Sequence, residues 1–350
     1  MDVTVVEPAP PSPAHGRRAL LPGRLANADD ELLDSPEDAA AYLGAFARFV
    51  QRNVASGDAA DDTRATYAVH VATWLAWCRG VSLEVSRVTV EDVEDYREAL
   101  IGAGCKPATV AIKLTLVRRF YDAAVRGGLR QDNPAAGVRA PKSKRAAEDF
   151  GYLSEAELAL LLRAVPRRID KHGQPLVQDL RDKAVLALLS LQVLRTVEIV
   201  RANVEDLQRR DEQWAFVVRG KGHDRLIYLR QDVAKALHAY LEARGAAVSV
   251  DALGLPLMTA VGNRAGGRRL SRRGVRKIVD SHLRRLDLKR PGLSNHALRH
   301  TGATLAYKYT HDLRAVQDLL GHADPRTTAR YARVVDKALN NPAAAVPIRM

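Results

Sequence analysis

The 350-residue sequence predicts a mainly α protein with a small β-sheet, divided into two domains. Three observations lead there. The length exceeds what one small hydrophobic core spans, and 47% apolar residues are enough to fill two. Apolar residues recur at three- and four-residue spacing through most of the chain, the period of an amphipathic helix. One stretch, "QWAFVVRGKGHDRLIYL" (213–229), instead alternates like a strand pair around Gly220-Lys221-Gly222.

The elements follow in order. Residues 1–34 are rich in Pro and Ala with scattered Arg, and read as a disordered extension. They lack the apolar run of a signal peptide. Ser35-Pro36-Glu37-Asp38 supplies a cap, a proline at the first helical position and early acids. Leu43, Phe46 and Val50 then share a face. A second helix is expected over Asp62–Arg79, with Tyr67, Val71, Trp74 and Cys78 as its stripe and Gly80 as its stop. Thr89 and Asp92 form a capping box before Val93, Tyr96 and Leu100. A fourth helix is expected over Pro107–Arg126. Residues 35–139 thus read as a four-helix, all-α domain.

"APKSKRAAEDFG" (140–151) holds a proline and a basic cluster without an apolar period, so 140–150 reads as a linker. The second domain spans 151–338. It opens on a capping box, Ser154 to Glu157, followed by a long helix over Gln178–Val193 and then the hairpin. A Gly/Arg-rich loop near Val261–Arg269 precedes a basic helix over Ser271–Leu286. A helix capped by Ser294 or Asn295, a stripe of Leu313, Val316 and Leu320, and a helix started by Asp324-Pro325 complete it. Residues 339–350 form a tail.

Charge points to the partner. Lys and Arg number 54 against 41 Asp and Glu, a net +13 that favours a polyanion, nucleic acid above all. An ordinary basic soluble protein is the plain alternative. Aromatics at 5% suit a duplex-backbone binder better than a single-strand stacker. Cys78 and Cys105 form no CxxC, which disfavours a disulfide scaffold or zinc module and points to a reducing cytoplasm. No run is long enough to cross a bilayer. Candidate phosphate contacts are Lys113, Arg118 and Arg119 on the fourth helix, Lys142 and Lys144 in the linker, and Arg272, Arg273, Arg276 and Lys277 on the basic helix. For each singly, a solvated face is the alternative.

Several polar residues sit oddly against these patterns. Arg195 ends the apolar run "AVLALLSLQVLRTVEIV" and must be paired or serve a ligand, with Glu198 three residues on to orient it. A structural ion pair is equally open. In "LSNHALRHTGATLA" (293–306), His296 and Arg299 share a face near a helix N-terminus, where free N–H groups favour an anion. His300 falls on another face and is expected to be structural. Lys221 at the hairpin tip could carry a mobile positive charge. Tyr331 follows Gly321-His322 by one short helical segment, and alone it reads as surface or core.

Together the ordered set of Arg195, Lys221, His296-x-x-Arg299, His322 and Tyr331 resembles the signature of the tyrosine recombinase (phage-type integrase) family. "LRAVQDLLGHADPRTTARYARV" (313–334) is similar to the bacterial Xer-like and integron-like members, and "NPAAGVRAPK" (133–142) to the end of their core-binding domain. The resemblance covers almost the whole chain. It implies a two-domain DNA clamp: an all-α, SAM-like core-binding domain joined to a tyrosine-recombinase catalytic domain. It implies that Tyr331 attacks the scissile phosphate to give a 3′-phosphotyrosine and a free 5′-hydroxyl, with no metal, ATP or other cofactor. Arg195, Arg299 and His322 would neutralise the phosphorane, Lys221 would protonate the leaving oxygen, His296 would assist as acid or base, and Glu198 would support the arginines. The implied partners are double-stranded DNA with an inverted-repeat core site and three further copies of the chain, a homotetramer on two sites working through a Holliday junction. A second recombinase or an accessory protein is an optional addition, and the resemblance implies that the tail docks in a neighbouring copy. The implied place is the cytoplasm, at the nucleoid. Val193 replaces the family's usual Gly before Leu-Arg, and Asp224 its usual basic residue after the turn, followed by Arg225. Two other functions stay open: a phosphotyrosyl relaxase or topoisomerase-like activity, and a non-catalytic architectural DNA binder.

Overall fold

The computed structural model describes residues 38–54, 61–142, 151–220, 224–246, 253–261, 267–322 and 324–339. The chain divides into two compact units, Met1–Arg145 and Ala146–Met350. The fold is mainly helical with one small sheet. The N-terminal extension, Lys144, Lys221 and the tail from 340 onward lie outside the described residues.

The first unit contains helices α1 (Ala39–Asn53), α2 (Asp61–Gly80), α3 (Val90–Gly102) and α4 (Pro107–Arg126). Asp38 precedes α1 but does not cap it. Its carboxylate accepts the backbone N–H groups of Val85 and Ser86 at 3.2 and 2.7 Å, tying α1 to the turn before α3. Thr89 and Asp92 form the expected capping box of α3. The core is aromatic: Trp74 and Trp77 stack at 5.4 Å, and Tyr96 meets Trp74 edge-on at 4.9 Å. Cys78 lies fully buried among them as a free thiol.

The second unit contains α5 (Glu155–Arg163), α6 (Val177–Ser190), α7 (Thr196–Arg201), strands β1 (Leu207–Arg210), β2 (Gln213–Val218) and β3 (Arg225–Tyr228), then α8 (Gln231–Ala243), α9 (Arg272–Arg285), α10 (Asn295–Thr310), α11 (Leu313–Leu320) and α12 (Pro325–Leu339). The sheet is antiparallel in the order β1-β2-β3, with Phe216 opposite both Leu207 and Ile227. β2 and β3 are the expected hairpin. β1 gives no sequence signal because "LQRR" is short and mostly charged.

Helix α6 is buried on nearly all sides and packs against α8 and α10. It stops three residues before the expected Val193. There the backbone turns left-handed, with Val193 at φ 47°, a conformation costly for a β-branched residue. A glycine would adopt it freely, so the departure at 193 is a strained one. At its other end α6 holds the basic helix α9 through a buried polar chain. Arg181 donates to Asp182 at 2.7 Å, and the His282 Nε2 lies 3.0 Å from the same carboxylate. Arg285 approaches the His282 Nδ1 at 3.2 Å. A guanidinium only donates, so Nδ1 accepts and Nε2–H points at Asp182. This leaves Arg272, Arg273, Arg276 and Lys277 on the exposed face of α9.

Helix α10 crosses the end of α6 closely. A Cβ on Gly302 would lie 1.8 Å from the Ser190 carbonyl oxygen and 2.6 Å from Val193 Cγ1. Backbone cannot retreat as a side chain can. Gly302→Ala is therefore expected to destabilise the protein by about 3 kcal/mol. Gly80→Ala, where a Cβ meets nothing within 4 Å, should stay within about 0.5 kcal/mol of the parent. Urea unfolding of the two variants checks the contrast.

Candidate active site

Four separate segments bring the candidate residues together: the start of α7, the strand β3, the first half of α10, and the end of α11 with α12. Arg195 does not lie within the apolar helix but after it, as the N-cap residue of α7. Its own N–H donates to Glu198 Oε2 at 2.6 Å and its Nη1 to Oε1 at 2.9 Å. The carboxylate at the third helical position thus fixes both backbone and guanidinium of the residue that opens the helix.

Glu198 serves more than Arg195. Arg225 Nη2 donates to its Oε2 at 3.3 Å, and Arg299 Nη1 lies 3.9 Å from the same oxygen. Three guanidiniums therefore surround one buried carboxylate. The carbonyls at the end of α11 hold them as well. Leu320 O accepts from Arg299 Nη2 at 2.7 Å and from Arg225 Nη1 at 3.2 Å, and Gly321 O accepts from Arg195 Nη2 at 3.2 Å. Helix C-terminal carbonyls lack intrahelical donors and carry the negative end of the helix dipole, so cations suit them. Arg299 Nη1 also donates to the carbonyl of the strained Val193. Arg299 is only 2% exposed. Burial first, and Arg195 second, push it down to about 10, still charged at neutral pH.

Gly321 is required at its position for two reasons. It takes φ 60°, and a Cβ there would lie 1.6 Å from Arg225 Nη1. The turn next presents His322. Its Nδ1 sits 2.9 Å from Thr328 Oγ1 and its Nε2 sits 3.4 Å from Arg299 Nη2. Burial, then Arg299, Arg195, Arg225 and Arg330, push its ring down to about 4. Asp324 accepts the Arg326 N–H at 2.9 Å and Pro325 starts α12, as the sequence indicates.

Tyr331 lies on α12, 1% exposed, in an apolar cluster with Val193, Ala303, Tyr307, Val316, Leu320 and Val335. Burial raises its phenol, while Arg299, Arg330 and Arg195 oppose the rise. His300 Nδ1 lies 2.7 Å from its hydroxyl. His300 thus faces Tyr331, where the sequence placed it only on a face apart from His296 and Arg299. The α10 helix turns His300 inward beside Arg299, while His296 is exposed. The two rings meet edge-on at 4.4 Å. Although His296 keeps solvent on one side, partial desolvation and then the cationic Arg299, Arg330 and Arg195 also push it down.

Sequence reasoning also passed over Arg225 and Thr328. The only signal for Arg225 was a basic residue one place later than the family's usual one. Thr328 shows itself by lying three residues before Tyr331, on the same turn of α12. Lys221 falls outside the described residues; beside it, Gly220 N donates to Asp224 Oδ1 at 3.1 Å and closes the hairpin neck. Of the candidate phosphate contacts, Arg118 instead donates to the carbonyls of Ala135 and Val138 at 3.2 and 3.0 Å. These bonds pin the segment after α4, so its guanidinium serves the fold. Arg119 lies over the Tyr67 ring at 5.3 Å, Lys113 is partly buried, and Lys142 is exposed. Among the described residues, no helix is long and apolar enough to cross a membrane.

The depressed histidines set a pH response. In the unfolded chain His322 and His300 titrate near 6.5; in the folded protein they are held at about 4 and about 3. Below pH 6.5 the unfolded chain gains protons that the folded site refuses, so acid favours unfolding. Stability is expected to hold above pH 7 and to fall between pH 6.5 and 4. Melting temperatures across that range should show a shallower fall in His322→Gln.

Residues 152–338 match the Phage integrase family. Tyrosine recombinase XerD of Bifidobacterium longum (strain NCC 2705) is 33% identical over 281 residues, covering 79% of this chain and 88% of that protein. Tyrosine recombinase XerC of Mycobacterium bovis (strain BCG / Pasteur 1173P2) is 34% identical over 259 residues, covering 73% and 82%. The fold is similar to the crystal structure of the XerH site-specific recombinase bound to palindromic difH substrate in a post-cleavage complex. That similarity has a TM-score of 0.64 at 16% identity, over 91% of this chain and 87% of that one. The chain belongs to the phage integrase family as a site-specific tyrosine recombinase, an enzyme that cleaves and rejoins DNA.

Proposed function

We propose that Tyr331 is the nucleophile and that Arg195, Arg299 and His322 form the phosphate pocket. The observation that carries this reading is the charge of the cluster. Three arginines around one Glu198 leave two positive charges unmatched in a poorly solvated place. A phosphodiester brings one negative charge, and the phosphorane formed by attack brings two. The cluster therefore suits the transition state better than the ground state, which is what acceleration requires.

Tyr331 attacks phosphorus and the bond to the 5′ oxygen breaks, leaving a 3′-phosphotyrosine. Lys221 on the hairpin tip protonates the departing oxygen. A 5′-hydroxyl from another strand then reverses the step and reseals the backbone, so no external energy source is needed. His322 assists through Thr328. In the free site Arg299 donates toward His322 Nε2, which places the ring proton on Nδ1, facing Thr328 Oγ1. A hydroxyl both donates and accepts. When phosphate draws the Arg299 donors away, the ring loses its Nδ1 proton to solvent and takes one up at Nε2; Thr328 then rotates to donate to the bare Nδ1, and Nε2–H faces a phosphate oxygen.

The partner is double-stranded DNA with an inverted-repeat core site, bound by a homotetramer on two sites that passes through a Holliday junction, in the cytoplasm at the nucleoid. The net charge of +13 and the exposed basic face of α9 support the duplex as partner; the site symmetry, tetramer, junction and location rest on the family resemblance. Arg272, Arg273, Arg276, Lys277, Arg119, Lys113 and the linker lysines Lys142 and Lys144 are the proposed backbone contacts. Arg118 is left out because of its carbonyl bonds.

A nicked suicide duplex carrying the core site should trap a covalent protein–DNA adduct in the presence of EDTA, and Tyr331→Phe should trap none. An adduct of equal yield in Tyr331→Phe would remove the nucleophile from this reading. Arg195 is 37% exposed and carries less of the fold than Arg299. Arg195→Ala should therefore lower the adduct-forming rate about 100-fold or more. Its duplex affinity in gel shifts should change less than threefold, since many other cations contact the backbone.

A further inference from the structure

Tyr331 must lose a proton as its oxygen attacks, and a free phenol holds that proton up to about pH 10. A general base has to lie within about 2.6–3.2 Å of the proton's donor atom. A titratable ring meets this requirement at the Tyr331 hydroxyl: His300 Nδ1 lies 2.7 Å from it. His296, to which the family resemblance gives an acid–base role, is exposed, and its ring meets that of His300 edge-on at 4.4 Å.

We propose that His300, rather than His296, takes the proton from Tyr331 during attack and returns it during resealing. The inference rests on Tyr331 being the nucleophile. The step balances. The Tyr331 oxygen bonds to phosphorus as the bond from phosphorus to the 5′ oxygen breaks. The phenolic proton moves to His300 Nδ1, and the leaving oxygen receives a separate proton from the general acid. In the reverse reaction His300 gives its proton back to the tyrosine oxygen.

The surroundings make this acceptor depend on substrate. His300 and Tyr331 are faced by His296 and Arg299 from α10, His322 from the turn after α11, Arg330 from α12 and Arg195 from the start of α7. Burial and these cations push the His300 ring down to about 3. The ring is thus neutral in the free protein, with a lone pair to offer but little affinity for a proton. A phosphate seated among the arginines offsets the same cations. Its arrival strengthens the base at the moment the nucleophile is needed, and the free enzyme keeps its tyrosine protonated.

The test measures single-turnover cleavage of the suicide duplex from pH 6 to 9 for the wild type, His300→Gln and His300→Ala, with duplex affinity and melting temperature recorded for each. A second substrate carries sulfur in place of the 5′ bridging oxygen, so that its leaving group needs no proton. Both variants are expected to bind DNA normally and to cleave about 100-fold more slowly at pH 7. Their rate should climb about tenfold per pH unit as hydroxide replaces the lost base. The sulfur substrate should leave the defect unchanged, and added imidazole should partly restore His300→Ala. Four outcomes overturn the proposal: an undiminished rate, a faster rate (which would make His300 a latch on the resting tyrosine), a defect constant across pH, or a defect cured by sulfur. If neither variant folds, the wild type decides on the sulfur substrate. A rate that falls on the acid side as one histidine protonates supports the base, and a rate still climbing tenfold per unit at pH 9 overturns it. Failure of the tyrosine reading itself shows separately, as adduct formation by Tyr331→Phe.

Discussion

The site depends on one carboxylate. Glu198 is buried beneath three guanidiniums, from Arg195, Arg225 and Arg299, that come from three different elements. Without it, like charges within a few ångströms of one another in a poorly solvated place would separate the start of α7, strand β3 and α10. With it, they converge while a positive excess remains. Burying an ion pair contributes little net stability, but removing one partner of such a group typically costs about 3–5 kcal/mol. The arrangement is better understood as a device for holding positive charge in one place than as a source of fold stability.

The end of α11 completes that device. Its last carbonyls receive all three arginines, and the left-handed Gly321 turns the chain so that His322 and then α12 follow at once. The three arginines and the tyrosine helix are therefore one mechanical unit. Strain is present at the same point. Val193 is held left-handed with its carbonyl on Arg299, where a glycine would rest without cost. The histidines share in this economy. Desolvated to differing degrees and surrounded by cations, His296, His300 and His322 are all pushed toward the neutral form, which leaves the arginines to carry the charge.

Much of this was legible in the sequence, because local rules govern it. The capping boxes at Thr89 and Ser154, the Pro107 and Pro325 starts and the β2–β3 hairpin depend on neighbours a few residues away. The ordered set from Arg195 to Tyr331 is not local; it was legible through the motif text and order that carry the family resemblance. What stayed hidden depends on how elements rotate against one another. The helical period places His300 on a face but cannot say that α12 covers that face. Arg225 was noted only as the residue after the departing Asp224 until β3 turned it onto Glu198. Arg118 looked like a phosphate ligand until the segment after α4 folded back beneath it. β1 was hidden for another reason: four mostly polar residues leave no period to read.

The central claim is that the buried tyrosine of α12 becomes joined to DNA. The most direct measurement digests the trapped adduct with protease and nuclease and sequences the nucleotide-bearing peptide by mass spectrometry. The account predicts a 3′-nucleotide phosphate on Tyr331. The same modification on another residue, such as the exposed Tyr309 or Tyr228, would contradict it.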